Sequence, residues 1–261
     1  MLGAIIGDIC GSIYEFNPVK VADFDLMTDG VKFTDDTVLT IAVADAIINN
    51  KDFGKTIKKY AIDYPKRGYG LKFYEWIHSN SLKPYGSYGN GSAMRVSSVG
   101  FYSNTIKEVL EKAKQSAEVT HNHYEGIIGA QAVALSIFLA KTNHTKKEIK
   151  TEIETRFGYN LNRTIKNISK LCRFDETCQG SVPEAIIAFL ESTDFESAIK
   201  NAILIKGDAD TQACIAGAIA EAYYKEIPEY LQDKAYTIIP QEFKIIIDRF
   251  YSNIKKSNKG N

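Results

Sequence analysis

Several features that mark whole protein classes are missing from this chain. Its 261 residues carry 32 basic and 32 acidic side chains, a formal charge of zero, so no overall field draws it onto nucleic acid or an anionic membrane. An anionic ligand therefore has to be met by local groups. No segment offers the ~18 to 20 consecutive apolar residues of a membrane span. The opening stretch MLGAIIGDICGSIYEF lacks a basic leader and is broken by Asp8, so it is expected to be mature protein rather than a signal peptide. Cysteine is scarce and scattered: of Cys10, Cys172, Cys178 and Cys214, only the middle two come close, at a spacing that no zinc knuckle uses. Cys10 and Cys214 stand in small-residue apolar patterns and are expected to be buried free thiols, which suits a reducing cytoplasm. There is no Walker or Rossmann fingerprint, no Ser/Gly-rich linker and no 20- to 50-residue repeat.

What is present is helix after helix. Apolar residues recur at helical spacing within 32–48 and around 53–63, 71–79, 105–119, 125–141, 145–156, 183–192, 195–205, 210–225 and 241–254, with Pro65, Pro84, Pro183 and Pro228 at their ends or starts. Period-two alternation is nearly absent, so the fold class is all-α. The 44% hydrophobic content is ample for one sizeable core. One domain over residues 1–254 is expected, followed by a polar basic tail, 255–261. In the first helix Gly3, Gly7 and Gly11 form a smooth ridge beside Ile5, Ile9 and Ile13, where another backbone can approach closely.

Two helices begin with more acid than a cap can use. KFTDDTVLT places Thr34, Asp35 and Asp36 before one apolar helix, and KGDADTQA places Asp208, Asp210 and Thr211 before another. One oxygen is enough to cap a helix. If the two starts converge, four carboxylates and two hydroxyls crowd a small volume, and their repulsion calls for a cation. Hard oxygen ligands suit Mg²⁺, Mn²⁺ or Ca²⁺, and six of them suit a pair of ions.

With these clusters, GAIIGDICGSIYE, FTDDTVLT, GSYGNGSAMR, THNHYEG and GDADT, in that order, resemble the motifs of the ADP-ribosylglycohydrolases, and in motif spacing the serine-specific hydrolase branch most of all. The resemblance runs from residue 3 to about 225. It implies a compact single-domain orthogonal multi-helix bundle with a central binuclear magnesium site, in which Thr34, Asp35, Asp36, Asp208, Asp210 and Thr211 are the ligands and Mn²⁺ is a possible substitute. Lys206 and Ala209 depart from the common Gly-Gly-Asp-Thr-Asp-Thr pattern at positions that supply no ligand. Glu15, seven residues after Asp8, takes the place of the catalytic glutamate. Gly86, Ser87, Tyr88, Gly89, Asn90, Gly91 and His121 are implied contacts to ADP-ribose.

The glycine loop is also expected to leave backbone N–H groups open to a diphosphate at the start of a helix near Ser92. Arg95 reads equally as a phosphate partner or as a structural ion pair. His123 has no role, and His78 and His144 are ordinary surface or helix-end residues. The expected activity is magnesium-dependent release of ADP-ribose from an ADP-ribosylated protein or small-molecule conjugate. Glu15 favours an O-linked acceptor, serine or O-acetyl-ADP-ribose, with arginine open. A non-catalytic ADP-ribose reader and a two-metal phosphoesterase are the alternatives. The protein is expected to act as a monomer.

Overall fold

The computed structural model describes residues 1–19, 23–171 and 174–257; Cys172 and the last four residues of the expected tail lie outside them. Among the described residues the chain is helical without a strand, apart from a single bridge between Gly89 and Thr177. The first four helices are α1 (Leu2–Gly11), α2 (Asp35–Ile48), α3 (Phe53–Asp63) and α4 (Leu71–His78). Two short ones follow, α5 (Gly91–Met94) and α6 (Ser97–Tyr102), then α7 (Ile106–Glu118), α8 (Tyr124–Lys141), α9 (Lys146–Phe157) and α10 (Ile165–Leu171). The last five are α11 (Cys178–Leu190), α12 (Phe195–Leu204), α13 (Ala209–Tyr224), α14 (Glu229–Ile238) and α15 (Gln241–Ser257).

Local chemistry sets most of the starts. Thr34, Asp52, Thr105, Thr145, Thr177 and Asp194 each accept a backbone N–H of their own helix's first turn. Helices that are apolar all round go to the centre, as they must when no face can be left in water. α8 is one such helix, buried almost continuously from Ile128 to Ala140. α1 is another, with all ten of its residues buried, Asp8 included.

The contact that positions the site is α1 on α13. A Cβ added at Gly3, Gly7 or Gly11 would overlap the backbone carbonyl of Gly217, Ala213 or Ala209 respectively. The glycine ridge thus lets two helix backbones touch, and it brings the end of α1 to the start of α13. The start of α2 reaches the same point because Asp8 of α1 holds Thr34 and Thr37.

Three boundaries differ from the sequence reading. α11 starts at Cys178, five residues before Pro183, because Thr177 caps it and the proline sits inside the helix. The helix expected near Ser92 is a single turn, Gly91–Met94, followed by a separate one. α15 runs on to Ser257, so the first residues of the expected tail are helical.

Candidate active site and metal centre

The starts of α2 and α13, the end of α1 and the Gly86–Gly91 loop converge on a cavity of about 670 Å³, within the size range of small-molecule sites. Thr34, Asp35, Asp36, Asp208, Asp210 and Thr211 all line it, and so does Glu15 from the turn after α1. Two carboxylate groups form at its floor. One oxygen each from Asp8, Asp36 and Asp210 lie within 4.8 Å of one another, as do oxygens of Glu15, Asp208 and Asp210. Asp210 belongs to both.

The hydrogen bonds show why this is more than capping. Thr34 caps α2 by accepting from the Asp36 N–H, but Asp208 at the start of α13 makes no side-chain cap bond. Among the described residues the Asp36 Oδ1 is buried without an oxygen or nitrogen hydrogen-bond partner, and its Oδ2 has the Thr34 and Thr211 hydroxyl oxygens each 3.4 Å away. Thr34 has one hydroxyl proton, and the 2.7 Å contact to Asp8 takes it. One lone pair accepts the Asp36 N–H, and the other is left free, an arrangement that suits a cation between the oxygens. Among the described residues no lysine or arginine pairs with Asp35, Asp36, Asp208 or Asp210. The donor set, hard oxygens with one orphaned and none neutralised, fits divalent metal ions.

Burial and crowding disfavour the charged form of these acids in the absence of metal. Burial pushes Asp35, Asp36 and Asp210 well above the usual carboxylate range, and neighbouring carboxylates push further. Asp208 is raised to about 6 by burial, against a 2.7 Å hydrogen bond from the Asn90 amide. Glu15, half-buried, is raised to about 7 by burial and then by the charges of Asp210 and Glu176.

Asp8 is the residue that motif reading passed over as a mere break in an apolar run. Its carboxylate accepts four bonds, from the backbone N–H groups of Thr34 and Thr37 at 3.0 and 3.1 Å and from both their hydroxyls. It aims the Thr34 oxygen and ties α1 to α2. The signal available in the sequence was an acid inside an otherwise apolar helix, which a core tolerates only when it is paired. Thr37 belongs to this support.

The glycine loop is built differently from the open anion cradle expected. Gly86 N–H donates to Asn122 Oδ1, Ser87 N–H to the Thr120 carbonyl, Gly89 N–H to Ser87 Oγ and Asn90 N–H to the Glu176 carbonyl. The loop spends these donors on its own docking, and the one-turn α5 behind it has little dipole to offer. Asn90 uses its amide nitrogen on Asp208 and Ser181. Ser87, Gly89, Asn90, Gly91 and His121 line the cavity, whereas Gly86 and Tyr88 do not; the Tyr88 ring is half-exposed and lies 5.3 Å from His123. His123 caps α8. Gly91 serves space rather than backbone shape: a Cβ there would sit 3.1 Å from Nε2 of His121. Arg95 is fully buried and forms no ion pair among the described residues, its Nη2 donating to the Ser116 carbonyl and Thr120 Oγ1. Lys32, Lys66, Arg67 and Lys72 bring positive charge to the cavity wall.

The family model described as ADP-ribosylglycohydrolase matches residues 1–259. The chain belongs to the ADP-ribosylglycohydrolase family. As a member it is a glycohydrolase enzyme with ADP-ribosyl hydrolase activity, and its clustered acids are able to hold metal. This ADP-ribosylglycohydrolase is 28% identical to ADP-ribosylhydrolase ARH3 of Xenopus tropicalis, over 87% of this chain and 86% of that one. It is 26% identical to human ADP-ribosylhydrolase ARH3, over 89% and 86%, and 27% identical to an uncharacterised protein of Archaeoglobus fulgidus, over 86% and 81%. A solved structure titled ADP-ribosylglycohydrolase-related protein complex superposes with a TM-score of 0.74 at 21% identity, covering 96% of each chain. It shares the all-α fold.

Proposed function

We propose that this enzyme is a magnesium-dependent hydrolase that frees ADP-ribose from an O-linked acceptor, with serine-linked ADP-ribose or O-acetyl-ADP-ribose preferred and arginine-linked ADP-ribose a poorer substrate. One observation carries the reading. Glu15 shares a carboxylate cluster with Asp208 and Asp210 at the cavity floor and is raised to about 7, where a carboxyl can both give and take a proton near neutrality. The relatives named ADP-ribosylhydrolase ARH3 support hydrolysis at ADP-ribose.

Thr34, Asp35, Asp36, Asp208, Asp210 and Thr211 would hold two Mg²⁺ ions, or Mn²⁺ in their place. When bound, such ions polarise sugar oxygens and acidify water. Glu15 manages the proton: as the water oxygen bonds to the anomeric carbon and the bond to the acceptor oxygen breaks, the proton lost by water ends on the acceptor through the Glu15 carboxyl. Ser87, Gly89, Asn90, Gly91 and His121 shape the ribose and diphosphate end, while Gly86 and Tyr88 would act by shaping their loop. Lys32, Lys66, Arg67 and Lys72 supply charge for the diphosphate in place of loop N–H groups. We take residues 1–254 as the working domain, acting as a monomer in the cytoplasm. Cys10, Cys178 and Cys214, all free thiols, suit that compartment.

The test is a panel of serine-linked, arginine-linked and O-acetyl-ADP-ribose substrates, with Mg²⁺ or with a chelator, read by mass spectrometry. Free ADP-ribose from the O-linked substrates, only with metal, is expected. Binding without turnover would make the protein a reader, and AMP or phosphate among the products would make it a phosphoesterase.

A further inference from the structure

Arg95, fully buried in the cavity wall, raises a question of purpose. Its Nη2 donates at 2.9 Å to both the Ser116 carbonyl and Thr120 Oγ1, while its Nε and Nη1 find no partner and no carboxylate pairs with it among the described residues. It stands in the cavity wall with no exposed surface, so its charge and its neighbours carry its effect on a ligand. The neighbour beside it in that wall is His121, whose Nδ1 lies 2.7 Å from the same Thr120 oxygen.

Proton accounting around Thr120 Oγ1 leaves one arrangement. A guanidinium only donates, so Arg95 occupies a lone pair of the hydroxyl. The hydroxyl proton then needs an acceptor in a fully buried place, and His121 Nδ1 is the acceptor within reach among the described residues. If Nδ1 carried a proton instead, the oxygen would take two donors and its own proton would be stranded without water. Burial and then the Arg95 charge also drive His121 towards the neutral ring. With Nδ1 accepting, the single ring proton is on Nε2, which makes no hydrogen bond to the described residues. That edge faces Gly91 and Gly89, where an added Cβ would stand 3.1 and 3.8 Å away.

We infer that Arg95 and Thr120 are positioning residues that lock His121 as the neutral Nε2–H tautomer and aim that proton through the gap left by Gly89 and Gly91 at an oxygen of the bound ADP-ribose. The ligand's identity rests on the proposed function; the tautomer does not. Thr120 fixes the loop as well, since its carbonyl accepts the Ser87 N–H. One residue thus holds both the donor and the loop that flanks the ligand. The same arrangement accounts for an arginine that meets neither phosphate nor carboxylate.

The experiment is ¹⁵N NMR of the His121 ring in the full-length wild type at pH 7, in Thr120→Val and in Thr120→Ser, with ADP-ribose affinity measured calorimetrically in each. The wild type should show protonated Nε2 and an unprotonated, hydrogen-bonded Nδ1. Thr120→Val should populate the Nδ1–H form and lose about tenfold in affinity, the scale of one directed hydrogen bond. Thr120→Ser, which keeps the hydroxyl, should restore both. A proton on Nδ1 or a doubly protonated ring in the wild type overturns the relay, and that spectrum decides even if Thr120→Val does not fold. An unchanged tautomer and affinity in folded Thr120→Val would also overturn it. Failure of the wild type to bind ADP-ribose would sink the ligand reading alone, with the spectrum still deciding the relay.

Discussion

At the residue scale, the acids differ in what they touch, and their roles follow. Asp36 has a naked buried oxygen, whereas the Asp8 carboxylate accepts four bonds from Thr34 and Thr37, three of them on Oδ2. Asp8→Asn should therefore leave the ligands in place but misaim Thr34, weakening Mg²⁺ binding about 10- to 100-fold, as loss of an orienting partner does. Calorimetric titration of the metal-free protein reads this directly; an affinity within twofold of wild type would contradict it. Glu15→Gln should cut turnover by about 10²- to 10⁴-fold with the metal still bound. Full activity in that variant would remove Glu15 from the chemistry.

The ligand candidates were legible because a helix start can use only one capping oxygen, and the surplus of acid at Thr34–Asp36 and Asp208–Thr211 was countable. Asp8 was not, since its partners are 26 and 29 residues away and arise only from packing. The glycine loop was half legible. Its small residues pointed to a ligand, but the competition of Asn122, Thr120 and Glu176 for its N–H groups is a tertiary fact. Lys206 shows a local cost: it holds φ at +67°, a left-handed conformation, two residues before Asp208 of the acidic cluster. Lys206→Gly should stabilise the protein by about 0.5 to 1 kcal/mol in denaturant unfolding. Destabilisation there would mean the lysine stem packs usefully.

At the scale of elements, the decisive event is the contact of α1 with α13. The row Gly3, Gly7, Gly11 was visible as a smooth ridge, and the partner's small residues Ala209, Ala213 and Gly217 were visible too. What no periodicity states is that these two helices meet each other. Because a Cβ at Gly7 would overlap the Ala213 carbonyl, Gly7→Ala should cost at least about 3 kcal/mol and separate Asp8 from Asp210. Chemical denaturation measures the first effect and Mg²⁺ affinity the second. α10 and α14 show little periodicity because each buries few side chains, Ile168 in α10 and Leu231 and Ala235 in α14. α11 begins ahead of its 183–192 periodicity because the Thr177 cap starts the helix five residues before Pro183, which sits inside it.

At the scale of the whole molecule, a neutral chain concentrates unpaired acid in its own centre. Without metal, Glu15 titrates near 7 and Asp208 near 6, above the ~4 of carboxyls in an unfolded chain, and Asp35, Asp36 and Asp210 are raised as well. The folded state therefore binds more protons than the unfolded one between about pH 4 and 7, so stability falls as pH rises through that window. The chelated protein should melt at a higher temperature at pH 5 than at pH 8, and Mg²⁺ at pH 8 should raise the melting temperature. A flat or rising profile in chelator would show that other groups govern the balance.

The account turns on Asp210, which both carboxylate clusters share. Titrating Mg²⁺ into metal-free wild-type protein and into Asp210→Asn, with binding stoichiometry read by calorimetry, addresses it most directly. The account predicts two ions per wild-type chain and a loss of both high-affinity events in Asp210→Asn. Two ions bound by Asp210→Asn at wild-type affinity, or none bound by the wild type, would contradict it.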